Sequence, residues 1–206
     1  MARIWATFER EQLARTEGFG VVAGIDEVGR GALAGPVTLG LVVLPDDFME
    51  PVVDSKLLSS AQRAEKAAII KEHAIVCEVM HIDADYIDEH GIMAAQREAG
   101  RRLVELMDPR PDLLLLDGSH DYLKAEVPVQ TIVRGDQVSA SIAAASIVAK
   151  HARDQLMREL ENMYPEYGFA MHVGYGTARH RAALMRHGPS PIHRMTFLKN
   201  FTLPKR

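Results

Sequence analysis

The sequence predicts a mixed-sheet α/β domain with helices on the faces of the sheet. Three observations carry this prediction. Five apolar runs, at 19–26, 36–44, 75–82, 113–116 and 129–133, read as strands. The first three lie close enough together to form a largely antiparallel group, and the later ones have the helix-separated character of parallel pairing. The 206 residues, 47% hydrophobic and 25% charged, suit one domain with a soluble core.

Taken in order, residues 19–26 form the first strand and PVTLGLVVL at 36–44 the second. Ser59-Ser60 offers an N-cap to a helix running to about His73. Residues 75–82 alternate as a third strand. A broken helical region follows at about 84–107, interrupted by Gly91 and Gly100. Leu113–Leu116 is fully apolar, as in a strand buried on both faces, and Asp117-Gly118 stops it. Val129–Val133 is the fifth strand. A long helix rich in small residues is predicted from Gln137 to about Met163, ended by Tyr164-Pro165. A glycine-containing loop then leads to a last helix, about Thr177 to His187.

Composition narrows the function classes. No apolar run reaches the length of about 18 residues needed to span a membrane. The N-terminus carries acids early and has no apolar h-region, so it does not read as a secretory signal. Cys77 stands alone and predicts a buried core thiol in a reducing cytoplasm. Net charge is −4, unevenly spread. Residues 150–206 hold ten Lys and Arg against four Asp and Glu, whereas residues 1–149 hold fourteen against twenty-four. An acidic part joined to a basic part is compatible with metal ions in one region and phosphates in the other, and also with an ordinary solvated surface.

Four carboxylates, Asp26, Glu27, Asp117 and Asp136, each sit at or just past the end of an apolar run. Strand ends along one sheet edge are where separate stretches of chain meet a ligand. Unpaired acids gathered there would raise one another's pKa values, a conflict that a hard divalent cation such as Mg²⁺ or Mn²⁺ resolves. Two such ions roughly 3.5–4 Å apart can activate water and stabilise the leaving oxygen of a phosphodiester. Taken singly, Asp117-Gly118 also reads as a plain turn and Asp136 as a helix N-cap. The stretch GRGALAG fits G-x-G-x-x-A, but Pro36 and another β-rich run follow where a dinucleotide site needs a helix. Its glycines instead allow close backbone approach, and Arg30 supplies a cation beside them. Such a loop could address a ribose 2′-hydroxyl.

GIDEVGRGALAGPV, DSK at 54–56, LLDG at 115–118, RGDQVSASIAAASIVAKHARD at 134–154, YPEYGF at 164–169, HVGYGT at 172–177 and PIHRMTF at 191–197 resemble ribonuclease HII of the bacterial type. The match runs in order across about residues 20–197. It implies a ribonuclease H-like mixed sheet flanked by helices, with a small C-terminal helical segment. It implies a single catalytic domain over 1–206, of which about 164–206 is a basic substrate-binding part. The implied activity is metal-dependent cleavage of the RNA strand of RNA–DNA hybrids, and 5′ to single ribonucleotides in duplex DNA, leaving 3′-hydroxyl and 5′-phosphate ends. The implied site is Asp26, Glu27, Asp117 and Asp136 on Mn²⁺ or Mg²⁺. Gly29, Arg30 and Gly31 would read the 2′-hydroxyl at the junction. Tyr175 would stack on the following deoxyribose. Lys56, Ser146 and Lys150 would contact phosphates. A cytoplasmic monomer acting in ribonucleotide removal is expected, and the tail shows no sliding-clamp motif.

The chain departs from the family pattern at Val53, Leu57 and Val173, the last standing where a Lys is usual. The alternative is a non-catalytic hybrid-binding module, which the presence of all four acids disfavours. The spacing of His172, His180, His187 and His193 fits no compact zinc site, so they read as surface or phosphate-facing groups. Tyr122, Tyr164 and Tyr167 read as packing residues.

Overall fold

The structure, a computed structural model, describes residues 5–199 and 201. The apolar runs become a five-stranded sheet: β1 (Val22–Val28), β2 (Val37–Val43), β3 (Val76–Ile82), β4 (Leu113–Asp117) and β5 (Val129–Ile132), in the order β3-β2-β1-β4-β5. β1 pairs antiparallel with β2 and parallel with β4. β2–β3 is antiparallel and β4–β5 parallel, so the sheet changes character at β1. The expected mixed sheet is therefore present.

The described residues hold seven helices: α1 (Glu9–Thr16), α2 (Ser60–His73), α3 (Ala84–His90), α4 (Ile92–Leu106), α5 (Ala140–Glu161), α6 (Phe169–His172) and α7 (Ala178–His187). Ser59 caps α2 in a capping box with Gln62. Gly91 breaks the 84–107 region, at φ +84°. Gly100 does not, and stays inside α4 facing Leu123. The sequence reading missed α1, the short α6 and a 3-10 turn at Met195–Leu198.

Two cores lie on the two sheet faces. Ala23, Ile25, Leu39, Leu41, Leu114 and Leu116 pack with Ala95, Ala99 and Leu103 of α4. On the other face Val42 meets α2 and the small residues Ala143, Ala144 and Ala145 of α5. The small residues bring α5 so close that a Cβ on Gly40 would lie 2.5 Å from the Ala145 carbonyl oxygen. One on Gly24 would lie 2.2 Å from the Ser141 carbonyl carbon. A smaller cluster, Ala34, Met157, Tyr167, Phe169, Leu184 and Leu198, ties the C-terminal part to the far end of α5 and to the loop after β1. Cys77 is half-buried rather than a core thiol, and burial pushes its pKa up to about 11.

The long helix starts three residues later than predicted. Arg134 takes the left-handed conformation at φ +55°, and Gly135–Gln137 forms a 3-10 turn. Ser139, not Asp136, caps α5 by accepting from the Ile142 amide. Glu11 of α1 reinforces that start. Its buried carboxylate accepts from Ser139 Oγ at 2.6 Å and from the Ser141 amide at 2.8 Å.

Candidate active site

Asp26 and Glu27 lie within β1 rather than beyond it, opposite Gly40 and Leu39 of β2. Alternation along the strand sends their side chains to opposite sheet faces. Asp26 shares the α5 face with Gly24 and is buried there. Glu27 falls on the α4 face and accepts from the Tyr122 hydroxyl at 3.0 Å. Asp117 ends β4 one step past the Ile25–Leu116 register pair, beside Asp26. Its Oδ1 accepts from the Gly135 amide at 2.6 Å, which fixes the turn that carries Asp136. Lys56, in the 3-10 turn Ser55–Leu57, places Nζ 3.3 Å from Asp136 Oδ2. Chain segments remote in sequence thus meet at one sheet edge.

The electrostatics are those of crowded acids. Burial, then the charges of Glu27 and Asp117, hold the Asp26 pKa well above the usual carboxylate range, against a hydrogen bond from Ser146. Burial raises Glu27, opposed by Tyr122 and by Arg30, whose guanidinium is 4.0 Å away. Burial and Asp136 raise Asp117, opposed by the Gly135 amide. Burial pulls the Lys56 ammonium down, but Asp136 and Asp54 outweigh it and its pKa rises. The donors are all hard oxygens, and two cations, both largely exposed, stand against four acids. This chemistry fits a divalent cation such as Mg²⁺ or Mn²⁺. Among the described residues no three of these side chains already form a closed cage. Mg²⁺ commonly completes its shell with water and substrate phosphates on one or two carboxylates, so an open set fits that use.

The other expected residues are placed as follows. Gly29, at φ +85°, presses against the Arg153 side chain, while Arg30 and Gly31 are exposed. The Tyr175 ring is half-buried, with Arg153 5.6 Å and Lys150 5.9 Å from its centroid. Ser146 is buried against Ser55 Oγ at 2.9 Å and against Asp26, so its hydroxyl faces an acid inside the protein rather than an open phosphate site. Lys150 Nζ is 2.6 Å from Asp154 Oδ1, and Arg63 Nη1 donates to the other oxygen, Asp154 Oδ2, at 3.3 Å.

The histidine expectation is corrected. His172, His180 and His193 are buried together beside Phe169, and only His187 of the four is exposed. Their wide sequence spacing hid a spatial cluster. Tyr122 packs as expected and also serves Glu27, a role that no local signal announced. Arg153 and Arg194 escaped notice as well. Both are fully buried and donate to backbone carbonyls of the loop after β1, Arg153 to Ala34 and Pro36 and Arg194 to Arg30 and Gly35.

Comparison with known proteins finds relatives in sequence and in fold. A family model described as ribonuclease HII matches residues 23–200. The ribonuclease HII of Ruminiclostridium cellulolyticum is 44% identical over 204 residues, covering 98% of this chain and 79% of that protein. Among solved structures, the ribonuclease H2 of Pyrococcus horikoshii OT3 superposes with a TM-score of 0.72 at 27% identity, over 85% of this chain and 93% of that one. Bst-RNase HIII, solved in complex with Mn²⁺, shares the fold with a TM-score of 0.62 at 20% identity, over 86% of this chain and 64% of that one.

Proposed function

The chain belongs to the ribonuclease HII family, a ribonuclease H-type endonuclease, and from that premise we propose that it cuts the RNA strand of RNA–DNA hybrids and cuts 5′ to single ribonucleotides embedded in duplex DNA. The products carry 3′-hydroxyl and 5′-phosphate ends, and the role is ribonucleotide removal by a cytoplasmic monomer. One observation carries the reading. Three acids with raised pKa values, Asp26 buried and Glu27 and Asp117 half-buried, share a sheet edge with an exposed Arg30 between two glycines.

In this reading Asp26, Glu27, Asp117 and Asp136 hold Mg²⁺ or Mn²⁺. Bound there, the metal supplies Lewis-acid stabilisation of the phosphodiester and lowers the pKa of attacking water. The chain's own residues do the rest. Tyr122 and Ser146 orient Glu27 and Asp26 by hydrogen bonds. Lys56 offsets charge at Asp136 and faces the substrate phosphates. The backbone of Gly29-Arg30-Gly31 addresses the 2′-hydroxyl, which both donates and accepts. Tyr175 lies against the next sugar, where a ribose fits less well. The whole chain acts as one catalytic domain, its basic part from about 164 gripping the backbone, though Lys205 and Arg206 lie outside the described residues, as does most of the tail read for a clamp motif. No helix among the described residues is long and apolar enough to cross a membrane.

The test is a gel assay on end-labelled duplex DNA with one internal ribonucleotide, beside an all-DNA duplex, with Mg²⁺, Mn²⁺ or EDTA. A single metal-dependent cut 5′ to the ribonucleotide, lost in Asp26→Asn, is expected. Binding without a cut under either metal would point to a hybrid-binding module instead.

A further inference from the structure

The buried histidines form a ladder whose proton positions are fixed by their partners. His180 Nδ1 lies 3.0 Å from the Tyr175 carbonyl oxygen. A carbonyl only accepts, so Nδ1 carries the hydrogen and Nε2 of the neutral ring is left to accept. His193 Nε2, 2.9 Å away, must then donate to it. That leaves His193 Nδ1 to accept from the Ser190 amide at 2.9 Å and the Ser190 hydroxyl at 2.7 Å. His172 follows the same logic, donating from Nε2 to Tyr167 O and accepting at Nδ1 from the Gly174 amide. Its ring stacks on His180 with centroids 4.4 Å apart. Every ring nitrogen is used in one consistent set of neutral tautomers, and no lone pair is left over for a metal.

The ladder leads somewhere at both ends. At one end it grips the backbone of Tyr175. At the other, His193 is followed by Arg194, which donates from Nη1 to the Arg30 carbonyl at 2.9 Å, from Nε to Gly35 O at 3.0 Å, and from its amide to Leu33 O at 2.9 Å. The two residues assigned to reading the sugars, Arg30 and Tyr175, are therefore joined through Arg194, His193 and His180. Phe169 and Tyr167 pack around the ladder, Tyr167 4.9 Å from His193 and Phe169 5.5 Å from His180 between ring centroids.

We propose that the His180–His193 pair is a positioning unit. It fixes the Tyr175 ring relative to the Arg30 loop, and so sets the preference for a lone ribonucleotide followed by deoxyribose over a continuous RNA strand. The inference rests on the sugar-reading roles given to Arg30 and Tyr175 above. His180 and His193 touch neither substrate nor the acids, and act through the residues that do. The Leu33 and Ala34 amides also tie the loop to the Gly174 carbonyl at 2.8 and 3.3 Å, and Arg153 bridges the Ala34 and Val173 carbonyls. The His180–His193 bond adds the side-chain tie on the other side of Tyr175, so replacing either ring by a group that cannot make that bond should loosen the seating of Tyr175 while these backbone ties and the carboxylates stay in place.

The experiment compares kcat/KM on a duplex with one internal ribonucleotide and on a uniform RNA–DNA hybrid. His193→Leu removes the donor, His193→Gln retains one, and His180→Asn keeps a donor for Tyr175 while losing the acceptor for His193. Tyr175→Ala serves as the reference, and thermal melting checks folding. In His193→Leu the ratio of the two kcat/KM values should fall about tenfold, a transition-state loss of about 1.4 kcal/mol confined to the junction substrate. His193→Gln should return it close to the unmodified ratio. Should His193→Leu fail to fold, the same fall in His180→Asn carries the test. Equal losses on both substrates, or an unchanged ratio, overturn the proposal. If Tyr175→Ala also leaves the ratio unchanged, the sugar-reading assignment itself is at fault. If Tyr175→Ala alone shifts it, only the ladder's role is lost.

Discussion

The Tyr122 hydroxyl donates to Glu27 Oε2 over 3.0 Å, joining the segment after β4 to the acid that β1 carries toward α4. This bond favours the ionised carboxylate, because it works against the burial that raises the Glu27 pKa. Tyr122→Phe removes the donor and keeps the ring. The Glu27 pKa should then climb further, so the acid limb of the pH–rate profile should move to higher pH. A full profile of kcat/KM for both proteins checks this, and coincident acid limbs would refute it.

Asp26→Asn should trade activity for stability. Ionised Asp26 is buried beside Glu27 and Asp117, so its charge burdens the fold at neutral pH. Its folded pKa lies above the unfolded one, and this burden therefore grows as pH rises from the ordinary carboxylate range. Asn removes the charge and keeps an oxygen to accept from the Glu27 amide, now 2.7 Å from Asp26 Oδ1. Activity should drop by on the order of a thousandfold, about 4 kcal/mol of barrier. The urea unfolding free energy at pH 7.5, without divalent metal, should rise by about 1 kcal/mol or more. Metal should stabilise the unmodified protein more than the variant.

Glu11→Ala should destabilise through the far end of the same site. The substitution strands the buried Ser139 hydroxyl and Ser141 amide at the start of α5, three to five residues after Asp136. Leaving such donors unpaired should cost about 2–4 kcal/mol in urea denaturation. Glu9→Ala, at an exposed position on the same helix, should change stability by less than about 0.5 kcal/mol.

Val173 holds φ +43°, a left-handed conformation that β-branched side chains rarely adopt. Its carbonyl accepts from Arg153 Nη1 at 2.8 Å, which pins it there. Val173→Lys removes the β-branch and adds a cation beside Tyr175. Stability should hold or improve by up to about 1 kcal/mol. Substrate binding, measured on the Asp26→Asn background across salt concentrations, should tighten and its salt slope steepen by about 0.9. An unchanged slope would mean that the new ammonium reaches no phosphate.

The histidine ladder should make the protein acid-sensitive. Burial first, and then neighbouring imidazoles, hold His180 and His193 at about 4, below their ordinary 6.5. Between those values the unfolded chain binds more protons than the folded one. The stabilisation is therefore complete above about pH 6.5 and is lost as pH falls toward 4. The unfolding free energy should decline over that window more steeply in the unmodified protein than in His193→Gln, which has one titrating ring fewer.

Some of this was written in the chain locally. Alternating and continuous apolar runs determined where the five strands lie, and Ser59 with Gln62 marked the start of α2, because periodicity and capping act over a few residues. The four acids at the ends of apolar runs and the glycine-flanked Arg30 were legible for the same reason. Tertiary structure alone decided the rest. The first residue of α5 depends on Glu11, 128 positions from Ser139. The Arg30 carbonyl is held by a guanidinium 164 positions away. Ser146 and the three histidines are polar side chains whose local sequence does not distinguish a surface from an interior. Burial became tolerable only when Ser55, Asp26, Ser190 and the Tyr167 and Tyr175 carbonyls arrived to satisfy them, and those partners are chosen by packing, not by spacing along the chain.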